Sequence, residues 1–175
     1  MTPLDWTHAI RDIPGEGLAV ERTATPDEAD RLARALEIVS VDKLLARYRL
    51  VPRPGGRLRL TGTIEAEVTQ DCVVTLEPVA SKVSLPLDVV FTPEAESAET
   101  TAESALEDLD KPDEEPIENG VVDVGRIVLE EMMSGLDPYP RRPDASFDWT
   151  DASADTGTDK PFAALARLRK PQAPD

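Results

Sequence analysis

The strongest constraint on the fold is a strict two-residue alternation around a Pro/Gly-rich break at residues 52–56. After the break, the even positions from 58 to 68 are apolar or small, and the odd positions are polar. Before the break, apolar residues alternate with Arg47 and Arg49. A period of two is typical of strands with one buried face. The sequence therefore predicts a β-hairpin, with Gly62 marking a bulge or bend in its long second strand.

A third strand and two helices follow from similar patterns. Alternating apolar residues from Val83 to Phe91 predict the strand, and Pro86, which has no amide donor, makes it an edge or bulged strand. Thr25 and Glu28 form a capping box before an amphipathic stretch. Asp123 is a second N-cap, for a helix that Gly135 ends. We expect an α+β domain over residues 1–143, an antiparallel sheet of four to six strands with two helices.

The charge is unevenly distributed along the chain. The 175 residues contain 19 Lys and Arg against 35 Asp and Glu, for a net charge of −16. Eleven of the acids and one lysine lie between Glu94 and Glu118, and large aliphatic side chains are scarce there. We predict a disordered acidic insert over residues 94–116, acting either as a solubilising loop or as a shield over the basic hairpin. Residues 144–175 are expected to be a loosely held tail, in which the basic stretch 161–170 is a frayed end or a partner-binding helix.

No constellation of residues supports catalysis, and we expect no enzyme. His8 is the sole histidine and lies in an N-terminus that looks flexible, while alternation puts Glu65 and Glu67 on the wet face. One cysteine and one histidine exclude an internal disulfide and the common structural zinc sites, so we expect no metal or cofactor. Cys72 continues the buried positions of its strand, as a small core residue would. The chain lacks a membrane-length apolar run and begins unlike a signal peptide, so we expect a cytoplasmic protein.

The arginines of the hairpin are the most informative polar residues. Six basic residues and no acid lie between Lys43 and Arg59. The two arms of the hairpin carry four arginines of the polar parity: Arg47, Arg49, Arg57 and Arg59. Like charges that face each other across strands are destabilising, so we expect compensation by a phosphate backbone, an acidic partner or the chain's own residues 94–118. A solvated face and a binding face remain equally open interpretations.

Two strings carry a resemblance to a known family. The first is Asp71-Cys72-Val73-Val74-Thr75-Leu76-Glu77-Pro78-Val79, and the second is Glu118-Asn119-Gly120-Val121-Val122-Asp123-Val124-Gly125-Arg126-Ile127-Val128-Leu129-Glu130-Glu131. Together with the Pro-rich Leu136-Asp137-Pro138-Tyr139-Pro140, they resemble the YceD family of large ribosomal RNA subunit accumulation proteins. The family motif falls on Cys72, Leu76, Glu77, Pro78, Asp123 and Glu130. The likeness covers roughly residues 15–170, and its closing residues 161–165 resemble the alphaproteobacterial branch.

The resemblance implies a non-enzymatic role in the accumulation or processing of large-subunit ribosomal RNA. Many family members carry Arg-Cys-Leu where this chain has Val73-Val74-Thr75, so no metal site is implied here. The expected partner is large-subunit ribosomal RNA or a pre-ribosomal particle, contacted through the arginines of the hairpin. The alternative is an acidic adaptor or chaperone that holds a basic ribosomal protein with the insert. The Cys72–Pro78 element itself is either a surface signature or a packing corner, and we favour the second interpretation.

Overall fold

The computed structural model describes residues 2–93 and 113–146. Its strands are β1 (Thr7–Ala9), β2 (Leu18–Thr23), β3 (Ser40–Pro52), β4 (Leu58–Asp71), β5 (Pro78–Pro93), β6 (Asp113–Ile117) and β7 (Val121–Asp123). Its helices are α1 (Pro26–Ala35) and α2 (Val124–Gly135), with single 3₁₀ turns at Ile10–Asp12 and Pro54–Gly56. No helix among these residues is long and apolar enough to span a membrane. The predicted α+β fold is confirmed.

A five-stranded sheet in the order β2-β3-β4-β5-β6 forms the body of the fold. The strands β2 to β5 are antiparallel, and the predicted hairpin is the β3–β4 pair. The bulge expected at Gly62 is wrong, because the irregularity lies between Val41 and Lys43. Gly62 instead allows close approach: a Cβ there would collide with the carbonyl oxygen of Arg47 and lie 2.7 Å from the Cα of Tyr48.

One open edge of the sheet lies along the first part of β5. Among the described residues, Pro78–Asp88 pair with β4 alone, so Pro86 stands at an edge, as predicted. The last part of β5, Val89–Pro93, pairs on its other side with β6. A proline costs no ladder hydrogen bond when its amide position faces outward from an edge.

Strand β6 corrects the predicted limits of the acidic insert. Residues 113–116 were expected to be disordered, but they form a strand parallel to β5, and Ile117 at its end is buried. Backbone pairing needs no apolar side chain, and one buried isoleucine anchors the strand. The sheet is therefore mixed at this edge. The rest of the predicted insert, residues 94–112, lies outside the described residues.

Helix α1 begins with the predicted capping box. The Thr25 hydroxyl accepts a hydrogen bond from the Glu28 amide at 3.3 Å, and the Glu28 carboxylate accepts one from the Thr25 amide at 2.9 Å. The same carboxylate also accepts a bond from the amide of Asp5 at 3.2 Å, which ties the N-terminal segment to the helix. Burial opposes ionisation of Glu28, but these hydrogen bonds outweigh it and hold the pKa of Glu28 below its ordinary value.

The lowered pKa makes the stability of this cap depend on pH. A carboxyl group with a depressed folded pKa stabilises the protein above its unfolded pKa, and the effect is lost as pH falls through the folded pKa. We expect Glu28→Gln to lower the free energy of unfolding by about 0.5–1 kcal/mol at pH 7. Urea denaturation from pH 6 to pH 3 should then show a flatter profile for Glu28→Gln than for the wild type. Asp27→Asn, which changes an exposed acid of the same turn, is the control; parallel profiles for the wild type and Glu28→Gln would contradict the prediction.

One core joins the inward face of the sheet to both helices and the N-terminal segment. Leu4 and Trp6 are almost completely buried in it, and the amide of Val124 donates to the carbonyl oxygen of Trp6 at 3.0 Å. The expectation of a flexible N-terminus around His8 is therefore wrong. His8 lies in β1, pairs with Val122 of β7, and its Nε2 is 2.8 Å from the hydroxyl oxygen of Tyr48.

The domain boundary stays a prediction. The expected tail begins at residue 144, and all of it beyond Ser146, including the basic stretch 161–170, lies outside the described residues.

Candidate functional site

The outward face of the sheet carries the arginines that the alternation singled out. Arg47 and Arg49 lie on β3 and Arg59 lies on β4, with their neighbours in sequence turned into the core. Arg57 is exposed in the connection just before β4. Both helices share the core of the opposite face. The four predicted residues therefore lie on or beside one face of one sheet.

No two of Arg47, Arg49 and Arg59 stand directly opposite each other across the strands. The register pairs Arg47 with Thr63 and Arg49 with Thr61, and places Arg59 opposite Val51. Threonine opposite arginine costs no like-charge contact. The shared parity was predicted correctly, but the facing of like charges was wrong, because parity fixes the face of a residue and register fixes its opposite neighbour.

Carboxylates of adjacent strands compensate the arginine charges. Arg47 contacts Glu21 of β2 at 2.7 Å and Glu65 of β4 at 3.3 Å. Arg59 forms a two-pronged pair with Asp88 of β5, at 2.9 and 2.8 Å. The sequence had suggested a phosphate backbone, an acidic partner or residues 94–118 as the compensating charge, and Glu21, Glu65 and Asp88 are none of these. Hydrogen bonding to Glu21 raises the pKa of Arg47, and the pair between Arg59 and Asp88 raises the pKa of the arginine and lowers that of the acid.

The rest of the outward face is also a mixture of charges. Lys43, Glu67 and Lys82 form one row across β3, β4 and β5, and the Lys82 ammonium lies 3.0 Å from the Glu67 carboxylate. Arg49 differs, because its guanidinium donates to the backbone carbonyl of Glu16 at 2.9 Å. The face has two depressions. One of about 510 Å³ lies beside Arg47 and Arg49, and one of about 310 Å³ lies beside Lys43 and Lys82.

A second feature, which we call the motif corner, consists of residues 71–78 and 137–144. Cys72 is fully buried, as predicted, whereas Leu76 and Glu77 are exposed. The turn is therefore both a packing corner, through Cys72, and an exposed surface, through Leu76 and Glu77. Hydrogen bonds from the side chain of Thr75 and the backbone of Arg142 lower the pKa of the Cys72 thiol to about 7, against burial, which raises it.

The segment after α2 completes the motif corner. The amide of Val73 donates to the carbonyl oxygen of Pro140 at 2.9 Å. The side-chain amide of Gln70 donates to the backbone carbonyl oxygen of Asp137 at 3.0 Å. Arg142 bridges Glu77 and Asp144. The sequence placed residues 71–79 and the Pro-rich residues 136–140 in the family pattern but gave no signal that they touch, because about 65 residues separate them.

The two remaining motif residues have structural roles at α2. Asp123 is the N-cap, and its carboxylate accepts from the amide of Arg126 at 3.0 Å, as predicted. Glu130 contacts the guanidinium of Arg126 at 2.8 Å, and Arg126 also bridges to Glu115 of β6.

Burial and the Arg22 charge lower the pKa of His8. Across residues 2–93 and 113–146, no three His, Cys, Asp or Glu side chains are grouped as a metal site would require.

Comparison with known proteins decides the family. The model of the family described as "Large ribosomal RNA subunit accumulation protein YceD" matches residues 60–169, which is more than half of the chain. The chain belongs to the YceD family. No curated protein and no solved structure matches it. The YceD description supports a role in ribosome biogenesis and is that of an accumulation factor, not of a known enzyme.

The extent of the YceD match separates the two candidate surfaces. It begins at residue 60, not near residue 15 as the resemblance suggested, and the alphaproteobacterial likeness is not confirmed. The four arginines precede the match, and the motif residues lie inside it: Cys72, Leu76, Glu77, Pro78, Asp123 and Glu130.

Proposed function

We propose that this chain supports accumulation or processing of large-subunit ribosomal RNA as a non-enzymatic assembly factor. It contacts the RNA, or a pre-ribosomal particle, through the outward face of its sheet. The family match carries the ribosomal role. The face is proposed because it presents Arg47, Arg49 and Arg59, with Arg57 beside them in the connection before β4, on a sheet whose other side is packed into the core.

The ion pairs of this face are weak enough for phosphate to replace them. About half of the Arg47 side chain is solvent-exposed, and exposed ion pairs contribute roughly 0–1 kcal/mol each. A phosphate oxygen accepts from guanidinium as a carboxylate does. Its binding also releases condensed counterions from the RNA. Binding through this face is therefore expected to be salt-sensitive and directed to the RNA backbone and its folded shape, with little reading of bases.

Replacing Arg47, Arg49 and Arg59 together with glutamine tests the face. Filter binding to large-subunit ribosomal RNA should show weaker binding at low salt and a salt slope, log K against log salt, that is shallower by about 2–3, because three phosphate contacts are lost. The matched control replaces Arg11, Arg22 and Arg34, which are exposed away from this face, with glutamine. It makes the same change in net charge and should keep the wild-type slope.

Sucrose gradients of cell lysate test the same proposal in the cell. We expect the wild type to migrate with precursor large subunits at low salt and to leave them at high salt, and the triple arginine variant to stay at the top. If the wild type stays at the top in both conditions, direct contact with the particle is contradicted. A basic ribosomal protein that binds the wild type and the triple variant equally would then favour the adaptor.

A further inference from the structure

The motif corner exposes an unusual concentration of large apolar side chains. Val73, Leu76 and Tyr139 are 45 %, 76 % and 71 % exposed, and they are three of the five exposed large apolar residues that the structure describes. The hydrogen bond between the Val73 amide and the Pro140 carbonyl brings the two segments together. Single exposed apolar residues need no explanation, but a cluster of them marks an interaction site.

Leu76 is there at a cost to the fold. Its φ of 59° lies in the left-handed region, where a leucine is disfavoured and glycine or asparagine is tolerated. A side chain so exposed contributes little to the core. Stability therefore does not account for leucine at this position, and an outlier of this kind points towards function.

The backbone holds the exposed side chains in a fixed arrangement. The Leu76 amide donates to the carbonyl oxygen of Cys72 at 2.9 Å, and the Cys72 amide donates to that of Glu77 at 2.8 Å. Cys72 and Pro140 are buried beneath the turn. A surface that is already ordered loses little conformational entropy when a partner binds.

The charges around the apolar cluster define the partner. Four carboxylates belong to the motif corner, those of Asp71, Glu77, Asp137 and Asp144. Two arginines oppose them, Arg141 and Arg142, and Arg142 is held between Glu77 and Asp144. Four negative and two positive charges leave a net charge of −2, which repels a phosphate backbone and attracts basic side chains.

We infer that the motif corner binds a segment of a partner protein in which a large apolar side chain is flanked by Lys or Arg. The apolar side chain packs against Val73, Leu76 and Tyr139, and the flanking cations meet the carboxylates around them. This surface is separate from the arginine face, so it does not depend on RNA binding there.

Selection from a random peptide library on the immobilised full chain tests the inference. We expect peptides with a large apolar residue beside Lys or Arg to be enriched. Synthetic copies should bind Leu76→Asn at least tenfold more weakly than the wild type, with no change in net charge. Asparagine accepts the left-handed conformation, so the melting temperature of this variant should not fall. Leu76→Met keeps an apolar side chain and should keep most of the binding.

Each other result overturns the inference. No enrichment, or equal binding to wild type and Leu76→Asn, removes the apolar cluster as a binding site. Sedimentation showing that Leu76→Asn dissociates an oligomer would assign the cluster to a second copy of the chain. Loss of ribosomal RNA binding in Leu76→Asn would assign it to RNA. The arginine face is tested by its own variants, so failure of one surface is distinguishable from failure of the other.

Discussion

Replacing Gly62 with alanine is expected to lower the free energy of unfolding by about 3 kcal/mol. The new Cβ would collide with the carbonyl oxygen of Arg47 and lie 2.7 and 2.8 Å from the Cα and Cβ of Tyr48. Two of these three atoms are backbone atoms of β3, in the middle of the sheet. Relief would require moving β3 away from β4, which strains the hydrogen bonds of a long antiparallel pairing.

Gly15 offers a matched control for this substitution. A Cβ at Gly15 would meet nothing within 4 Å, so Gly15→Ala should change the free energy of unfolding by less than about 1 kcal/mol. Urea denaturation of both variants, with the m-value compared to that of the wild type, measures the difference. Equal midpoints for the two variants would show that the sheet opens easily at Gly62, contrary to the close approach of β3.

Replacing Trp6 alone with alanine should lower the free energy of unfolding by about 3–5 kcal/mol. Trp6 is 1 % exposed and is among the largest side chains in the core. Its loss leaves a cavity in the core and removes its side-chain hydrogen bond to the Glu28 carboxylate of α1. The Trp6 carbonyl also ties the segment to α2, by accepting hydrogen bonds from the amides of Val124 and Gly125. The N-terminal segment thus acts as part of the core.

Two companions of Trp6→Ala separate a cavity from a general effect on the segment. Trp6→Phe refills part of the volume and should lose markedly less stability than alanine. Thr7→Ala changes an exposed side chain and should be within about 0.5 kcal/mol of the wild type. Thermal and urea unfolding provide the values. If Trp6→Ala is as stable as Thr7→Ala, the N-terminal segment does not contribute to the core and is flexible, as the sequence suggested.

Much of the fold was predictable because its signals are local. The alternation on both sides of residues 52–56, and the caps at Thr25 and Asp123, are written in consecutive residues. Leu4 and Trp6 are different, since two isolated apolar residues have no period and acquire a role only when α2 packs on them. Strand β6 was missed for a similar reason: its acidic residues are shared with the insert, and only pairing with β5 distinguishes them.

The candidate sites divide along the same line. Parity placed the arginines on one face, but their acidic partners Glu21 and Asp88 come from other strands, and only the register reveals them. The motif corner depends on contact between residues about 65 positions apart. Local pattern predicts which way a side chain points; it does not predict which distant segment arrives beside it.

The pairing of β5 with β6 has a consequence for the intervening residues 94–112. Because Pro93 pairs with Ile117 and Val89 with Asp113, the ends of this segment are roughly 14 Å apart, set by the strand rise and spacing. Closing a longer connection between two fixed points costs only about 0.6 kcal/mol for each doubling of its length. The sheet therefore places almost no demand on how many residues lie there. Foreign sequence, such as an affinity tag or a fluorescent domain, can be inserted at this position as a reporter while both strands keep their partners.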